Sequence, residues 1–206
     1  MRAMRLTIMV LCAVLWIGAG LVTAQEEDRE MTPELMAKYM AMAQPGPEHE
    51  HLAKLVGEWT SVTTFRMQPG DDPTNVEGTC HNEMVLEGRF LQSRGRASTP
   101  QMEAKSMVMF GYDRMMEEYT LVAFDTWGTY YITAAGQYDE ESKSIRLYGE
   151  EYDPIMDFTQ EYYFKLTFVD EDTFVEELYF TDEVMTKGLG EFKMVETTYT
   201  RVKEEK

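Results

Sequence analysis

The sequence predicts a mainly β protein in which about ten antiparallel strands close into an up-and-down barrel, preceded by one or two N-terminal helices. From Trp59 to Val202 the chain is a succession of alternating apolar and polar segments, separated by short turn signals. No helical pattern interrupts them, which excludes a parallel βαβ topology. Consecutive hairpins with one apolar face lose their exposed edges when they close. A two-sheet sandwich is the alternative.

The first 24 residues have the features of an export signal. Arg2 and Arg5 precede an apolar run that ends in Val22-Thr23-Ala24, and a positive start, an apolar stretch and small residues predict cleavage. A retained membrane anchor is the alternative, because the run approaches the length of a transmembrane helix. The small residues favour removal after Ala24. We therefore expect residues 1–24 to be a signal peptide and the protein to be periplasmic or extracellular.

The charge of the mature chain restricts its partners. Removing Arg2 and Arg5 leaves 17 of the 19 basic residues against 37 acidic ones, a net charge of −20. This charge repels the phosphates of nucleic acids and anionic membrane surfaces, and scattered acids are typical of a soluble surface. We expect no nucleic-acid partner and no stable membrane insertion after signal removal. The oligomeric state stays open.

Cys80 is the one cysteine of the mature chain, so an intramolecular disulfide is excluded. A lone thiol raises the question of a nucleophile. However, Cys80 lies in an alternating run on the same face as Met84. That position predicts a buried structural cysteine.

Two helices are predicted before the first strand. Residues 25–31 are acidic and lack an apolar period, which indicates a flexible leader. Thr32 caps a first helix that Pro45-Gly46 ends. A second helix begins near Pro47 and ends at Gly57; its apolar stripe consists of Leu52, Leu55 and Val56. We assign the leader and first helix to residues 25–46 and the barrel domain to residues 47–203.

The strands are predicted between clusters of turn-forming residues. Their ranges are 59–65, 76–86, 89–98, 105–112, 119–125, 130–138, 144–151, 158–169, 174–181 and 192–202. The eighth has the clearest alternation, with Tyr162 and Phe164 on one face and Glu161 and Lys165 on the other. Tyr162 and Phe164 are therefore expected to point into the barrel.

Several short motifs occur together in the barrel domain. They are Glu48-His49 with Leu52, Gly57-x-Trp59, Leu86-Glu87-Gly88-Arg89-Phe90-Leu91, Phe110-Gly111-Tyr112-Asp113 with Tyr119, Asp125-x-x-Gly128-Thr129, and Glu196-Thr197-Thr198-Tyr199-Thr200-Arg201. As a set they resemble the bacterial family called domain of unknown function 1579, which is grouped with the lipocalin-like (calycin) barrels. The likeness covers most of residues 47–202. It implies a barrel with a cavity and no agreed activity.

The resemblance also implies how the barrel closes. In lipocalin-like barrels generally, the tryptophan of the Gly-x-Trp motif lies at the closed end, beneath an arginine of the final strand. Gly57, Trp59 and Arg201 occupy these positions here. A guanidinium over an indole ring gains cation–π energy and keeps its donors for backbone carbonyls. The expected role of all three residues is structural.

The densest group of metal-ligand residue types is Glu48-His49-Glu50-His51. On a helix the two histidines point about 200° apart and do not share an ion, so no metal is expected. Haem, which the similar nitrobindins hold through a histidine, is also not expected. This chain has no histidine after His81 and lacks further glycines after Trp59. No cofactor is predicted.

Glu176 and Arg94 are the charged candidates for a ligand site. Glu176 lies between Phe174 and Leu178 in the ninth strand and shares their face. If that face points into the barrel, the pKa of the Glu176 carboxyl would be raised. We favour the opposite register, which places Val175 and Tyr179 inside and Glu176 in water. Arg94 would meet an anionic ligand or an inward Glu176, or balance surface acids across strands. We favour the surface role.

The predicted function is non-catalytic binding of a small apolar or amphipathic molecule in the barrel cavity. Abundant Tyr, Phe and Met side chains line such cavities, and the candidate contacts are Glu176, Arg94, Tyr162 and Phe164. The same aromatic residues would also fill a solid core. The alternatives are an enzyme that uses Glu176 and Arg94 on a small exported substrate, and a structural or partner-binding envelope protein.

Overall fold

The computed structural model describes residues 31–99 and 102–203. The predicted signal peptide over residues 1–24 lies outside these ranges. The chain divides into two units, Met1–Met36 and Ala37–Lys206. In the described part of the first unit, Thr32 Oγ1 accepts a hydrogen bond from the Leu35 backbone N–H at 3.2 Å, which is the predicted helix cap. Among the described helices, none is long and apolar enough to cross a membrane.

The described chain contains three helices and ten strands. The helices are α1 (Pro33–Met42), α2 (His49–Ala53) and α3 (Glu183–Thr186). The strands are β1 (Gly57–Phe65), β2 (Thr74–Val85), β3 (Phe90–Thr99), β4 (Met102–Asp113), β5 (Glu118–Asp125), β6 (Ile132–Asp139), β7 (Ser144–Asp153), β8 (Phe158–Asp170), β9 (Thr173–Phe180) and β10 (Phe192–Arg201). The two N-terminal helices are confirmed. The short α3 was not predicted; it is one turn capped by Asp182, which accepts from the Met185 backbone N–H at 2.8 Å.

The ten strands form a closed antiparallel barrel in which each strand pairs with its neighbours in the sequence and β1 pairs with β10. The predicted up-and-down barrel is therefore confirmed, and the sandwich is excluded. The closing pair aligns Trp59 with Arg201 and Thr63 with Thr197. Because all ten strands have two partners, the sheet has no free edge.

Helix α2 plugs the end of the barrel at which β1 begins. Leu52, Leu55 and Trp59 are almost completely buried there. Val56, which the sequence placed on the same apolar stripe, is 37% exposed. This assignment was wrong because the helix ends at Ala53, and the residues after it follow a turn instead of the helical period.

Two arginines hold the end of α1. Arg114 Nη1 donates to the carbonyls of Ala41 at 2.7 Å and Gln44 at 3.1 Å, and Arg89 Nε donates to the carbonyl of Ala43 at 3.1 Å. The last carbonyls of a helix lack intrahelical partners and attract cations. Because no residue of α1 is buried, these polar contacts position its C-terminal end.

One irregularity in β10 sets the orientation of its side chains. The pairing with β9 shifts by one residue, so Lys193 lies opposite Tyr179 and Val195 lies opposite Leu178. This bulge lets Phe192, before it, and Thr197, after it, both face the interior, where both are buried. Strict alternation would place them on opposite faces.

Candidate functional site

The barrel interior is filled on one side and hollow on the other. On the β8–β9 side, Tyr162, Phe164 and Phe180 belong to the packed core, and the Tyr162 hydroxyl donates to the Thr133 carbonyl at 3.1 Å. Tyr162 and Phe164 were predicted as ligand contacts. The structure places both in the packed core, and neither lines the cavity described next.

The hollow side contains a cavity of ≈ 390 Å³ that opens at the end of the barrel remote from α2. Met67 and Trp127 stand at its mouth and are 57% and 56% exposed. Its walls combine apolar side chains with small and hydroxyl-bearing ones, and the charged residues Arg96, Lys105 and Asp125 also line it. They include Ser61, Thr63, Phe65, Val76, Cys80, Gly95, Ala97, Ala104, Ser106, Met194, Val195, Thr197 and Tyr199.

Hydrogen bonds order the deep part of the cavity. The hydroxyls of Thr63 and Thr197 lie 2.9 Å apart across the closing strand pair. The Cys80 thiol contacts the Ser93 hydroxyl and Asn82 Oδ1, each at 3.1 Å. Burial raises the pKa of Cys80 to about 11, so its thiol is neutral at physiological pH. As predicted, Cys80 is a buried cysteine.

Glu176 lies on the interior face of β9, opposite Thr197 of β10 and Leu166 of β8. The register favoured from the sequence, with Val175 and Tyr179 inside, was wrong. Phe174 and Phe180 are both buried in the core. Glu176, two residues after Phe174 and four before Phe180, must share their face. The Tyr179 hydroxyl finds its partner outside the barrel, donating to Glu177 at 2.8 Å. An outward tyrosine is therefore fully compatible with this register.

The surroundings of Glu176 favour the neutral form of its carboxyl. Burial raises its pKa, and the hydrogen bond from Tyr199, which lowers it, does not offset this effect. The Tyr199 hydroxyl donates to Glu176 Oε2 at 3.2 Å. Its ring stacks on Phe174 at a centroid distance of 4.2 Å. Burial and the nearby Glu176 carboxyl raise the pKa of Tyr199 well above its usual value.

Glu177, the next residue, lies on the exterior face in a cluster of cations. Lys193 Nζ and Lys165 Nζ lie 2.9 Å and 3.5 Å from its carboxylate oxygens. Although burial acts to raise its pKa, the hydrogen bonds from Lys193 and Tyr179 lower the pKa of Glu177 below the usual value. The covering side chains leave Glu177 little exposed surface.

Arg94 lies on the exterior of β3, where Nη1 is 3.3 Å from Glu83 Oε1. It therefore does not meet Glu176, and the alternative in which Arg94 and Glu176 act together inside the barrel is contradicted by this position. The interior face of β3 instead carries the residues that alternate with Arg94, which are Leu91, Ser93, Gly95 and Ala97. The favoured reading of Arg94 as a surface residue that balances an acid across strands agrees with this position.

At the closed end, Arg201 covers Trp59. The guanidinium carbon lies 4.1 Å from the centroid of the Trp59 ring, within cation–π range. Arg201 Nη1 donates to the Val56 carbonyl at 2.6 Å and Nη2 to the Lys54 carbonyl at 2.8 Å. Gly57 has φ 133°, and an added Cβ would lie 2.7 Å from Arg201 Nη1. These contacts join Gly57, Trp59 and Arg201 into one packed group, which holds the C-terminal end of α2.

The two histidines of α2 do not converge. His49 Nδ1 accepts a hydrogen bond from the Gly46 backbone N–H at 3.1 Å, whereas His51 Nδ1 lies 2.7 Å from the Tyr119 hydroxyl. Over residues 31–99 and 102–203, no group of three His, Cys, Asp or Glu side chains is arranged to hold a metal ion.

Sequence reasoning missed the polar group formed by Glu176, Tyr199, Thr197 and Cys80 in the interior. A usable signal was present for Tyr199 and Thr197. They precede Arg201 by two and four residues, and the resemblance placed Arg201 over Trp59 at the closed end of the barrel. Period two from Arg201 would have assigned both to the interior.

Comparisons with known proteins agree with this architecture. The family model described as "Protein of unknown function (DUF1579)" matches residues 44–201. The crystal structure of Rv2717c from M. tuberculosis is similar, with a TM-score of 0.54 and 13% identity, covering 78% of this chain and 100% of that chain. The S-type phycobiliprotein lyase CPES from Guillardia theta has a TM-score of 0.50 and 12% identity, covering 77% and 94%. At these identities the likenesses show the fold alone. No curated protein matches the sequence.

Proposed function

We propose that this chain, which belongs to the DUF1579 family, is an exported barrel protein that binds a small apolar or amphipathic molecule in its cavity. The observation that carries the proposal is the open cavity of ≈ 390 Å³. Sites for small molecules typically enclose roughly 300–1,000 Å³, with apolar walls and a few polar groups. Phe65, Val76 and Met194 supply apolar wall, and Thr63 and Thr197 supply hydroxyls.

The choice of side chains also supports a binding role. On the β8–β9 side the interior is filled by aromatic rings. On the opposite side Gly95, Ala97, Ala104 and Ser106 line the space instead. An unfilled apolar space sacrifices packing energy. A cavity kept open by small residues, and rimmed by Met67 and Trp127, fits a site that a ligand enters from the open end.

Export is supported by the sequence of residues 1–24. The test is intact-mass analysis of protein recovered outside the cytoplasm. A mass that begins at Gln25 is expected. Recovered protein that still carries residues 1–24 would contradict the cleavage.

The binding proposal is tested by filling the cavity. Ala97 lines it, whereas Ser98 is the next residue of β3 and is exposed on the exterior. We expect Ala97→Trp to abolish binding of the neutral fluorescent probe N-phenyl-1-naphthylamine and Ser98→Trp, the matched control, to leave it unchanged. Equal binding by both variants would refute the proposal.

A further inference from the structure

The Glu176 carboxyl has unused hydrogen-bonding capacity inside the barrel. Tyr199 donates to Oε2, and Oε1 has no hydrogen-bond partner among the described residues. A carboxylate accepts about four hydrogen bonds. Glu176 lies on the interior face, yet part of its surface is accessible, so that part faces an internal space. Glu176 is not itself among the residues that line the cavity, but Thr197, its neighbour across the β9–β10 pair, and Tyr199, which donates to it, both line it. A ligand group that passes these two side chains reaches the carboxyl.

This carboxyl also forms no ion pair with a cation among the described residues; its hydrogen bond there is the one from Tyr199. Its interior neighbours Tyr199, Thr197 and Leu166 are uncharged. Arg201, the inward cation of β10, is used at the closed end, where it binds the carbonyls at positions 54, 56 and 171. An enclosed carboxyl without a cation is costly to ionise. A ligand that brings a positive charge would remove this cost.

The inner part of the cavity suits such a ligand. The two cations that line the cavity, Arg96 and Lys105, lie 3.3 Å and 3.8 Å from the Glu103 carboxylate, which balances their charge. An ammonium group carries three N–H donors, and Glu176 Oε1 and the hydroxyls of Thr197 and Ser61 offer acceptors on adjoining strands. The apolar wall can take a hydrocarbon body. The whole chain carries a net charge of −18, which draws cations toward it and repels anions.

We infer that the ligand of the cavity is an amine, whose ammonium group pairs with Glu176 while its apolar body lies against Phe65, Val76 and Met194. This inference rests on the proposed function, since it names the class of molecule that the same cavity takes. A neutral ligand that accepts a hydrogen bond from protonated Glu176 is the competing chemistry. The two chemistries have opposite dependence on pH.

An ammonium binds the ionised carboxylate, so its affinity rises as pH rises through the pKa of Glu176. A neutral acceptor needs the protonated acid, so its affinity falls over the same interval. In the part of the chain that the structure describes, the other titratable groups that face Glu176 are Tyr199 and Cys80. Both have raised pKa values and stay neutral at physiological pH. Glu176 is therefore the group whose titration the binding experiment reports.

The experiment compares octylamine, 1-octanol and octanoate by calorimetry over a series of pH values. We expect octylamine to bind about 10- to 100-fold more tightly than octanol, as for a charge-assisted hydrogen bond in an enclosed site. Its affinity should increase with pH. Glu176→Gln keeps the shape and removes the charge, so it should abolish the preference for octylamine. Glu177→Gln, the adjacent exterior control, should retain it.

If octanol binds as tightly as octylamine, or if Glu176→Gln leaves octylamine binding unchanged, the amine inference is overturned while the cavity remains a binding site. If N-phenyl-1-naphthylamine and all three octyl compounds fail to bind, the proposed function itself fails. Should Glu176→Gln not fold, the pH profiles of the unaltered protein decide: octylamine affinity that is flat or falls with rising pH refutes the inference.

Discussion

Glu176 and Glu177 are adjacent in the sequence, lie on opposite sides of the barrel wall and have pKa values shifted in opposite directions. Burial raises the pKa of Glu176 in the interior, whereas Lys193 and Tyr179 lower that of Glu177 on the exterior. The unperturbed value is 4.5 for both. The two residues should therefore make contributions to folding stability that depend on pH with opposite signs.

The stability that neutral Glu176 contributes is fully present below pH 4.5 and is lost as pH rises through its folded pKa. We therefore expect Glu176→Gln to be progressively more stable than the unaltered protein as pH increases above 4.5. Urea denaturation of both proteins at a series of pH values measures the difference. A difference that does not change with pH would mean that Glu176 is solvated.

For Glu177 the sign is reversed. Its lowered pKa gives stability that is present above pH 4.5 and is lost as pH falls through the folded value. Glu177→Gln should therefore destabilise the barrel near neutral pH, and the loss should shrink in acid. The same denaturation series measures it. A loss that grows in acid would contradict the assignment of Glu177 to the lysine cluster.

The contact between Trp59 and Arg201 predicts non-additive mutations. Trp59→Ala removes a large buried ring and should cost roughly 3–5 kcal/mol. Arg201→Ala should cost less, because the side chain is partly exposed. The double mutant should cost less than the sum of the single mutants, with a coupling of about 0.5–3 kcal/mol. Denaturant unfolding of the four proteins measures the cycle, and strict additivity would refute the coupling.

Gly57 combines a positive φ with a close approach to Arg201. Gly57→Ala should therefore destabilise the protein by more than Gly70→Ala, a matched control with φ 91° and open space around its added Cβ. The control isolates the backbone strain, roughly 1–2 kcal/mol for a residue that is not glycine. Thermal unfolding of both variants gives the comparison. Equal losses would show that Arg201 moves aside without cost.

Cys80 should react slowly although it borders the cavity. With its pKa raised from 9.0 to about 11, the thiolate fraction at pH 8 falls about 100-fold, and only the thiolate is nucleophilic. Alkylation of the folded protein by iodoacetamide should therefore be slower by about this factor than alkylation in urea. Peptide mapping follows the modified residue. Similar rates in both states would contradict the burial of Cys80.

The strand ranges were predictable because turn residues and period-two alternation are local signals. Alternation alone, however, does not say which face of a strand is inside. In β9 the choice between Glu176 and Val175 depended on which neighbours Phe174 would meet, a non-local property. The same limit applied to Arg94 on β3. Strand β6 begins at Ile132, two residues after its predicted start at Tyr130, because Tyr130 and Tyr131 are exposed loop residues at the open end.

The extra residue in β10 determines how the length of this strand can vary over evolution. The side chain that points inward before the bulge is Phe192, and those that point inward after it are Thr197, Tyr199 and Arg201. Deleting one residue between Lys193 and Thr197 would turn either set outward. The polar group around Glu176 and the cover over Trp59 would then be lost together. Homologues are therefore expected to gain or lose residues in the β9–β10 loop and to keep the length of this strand fixed.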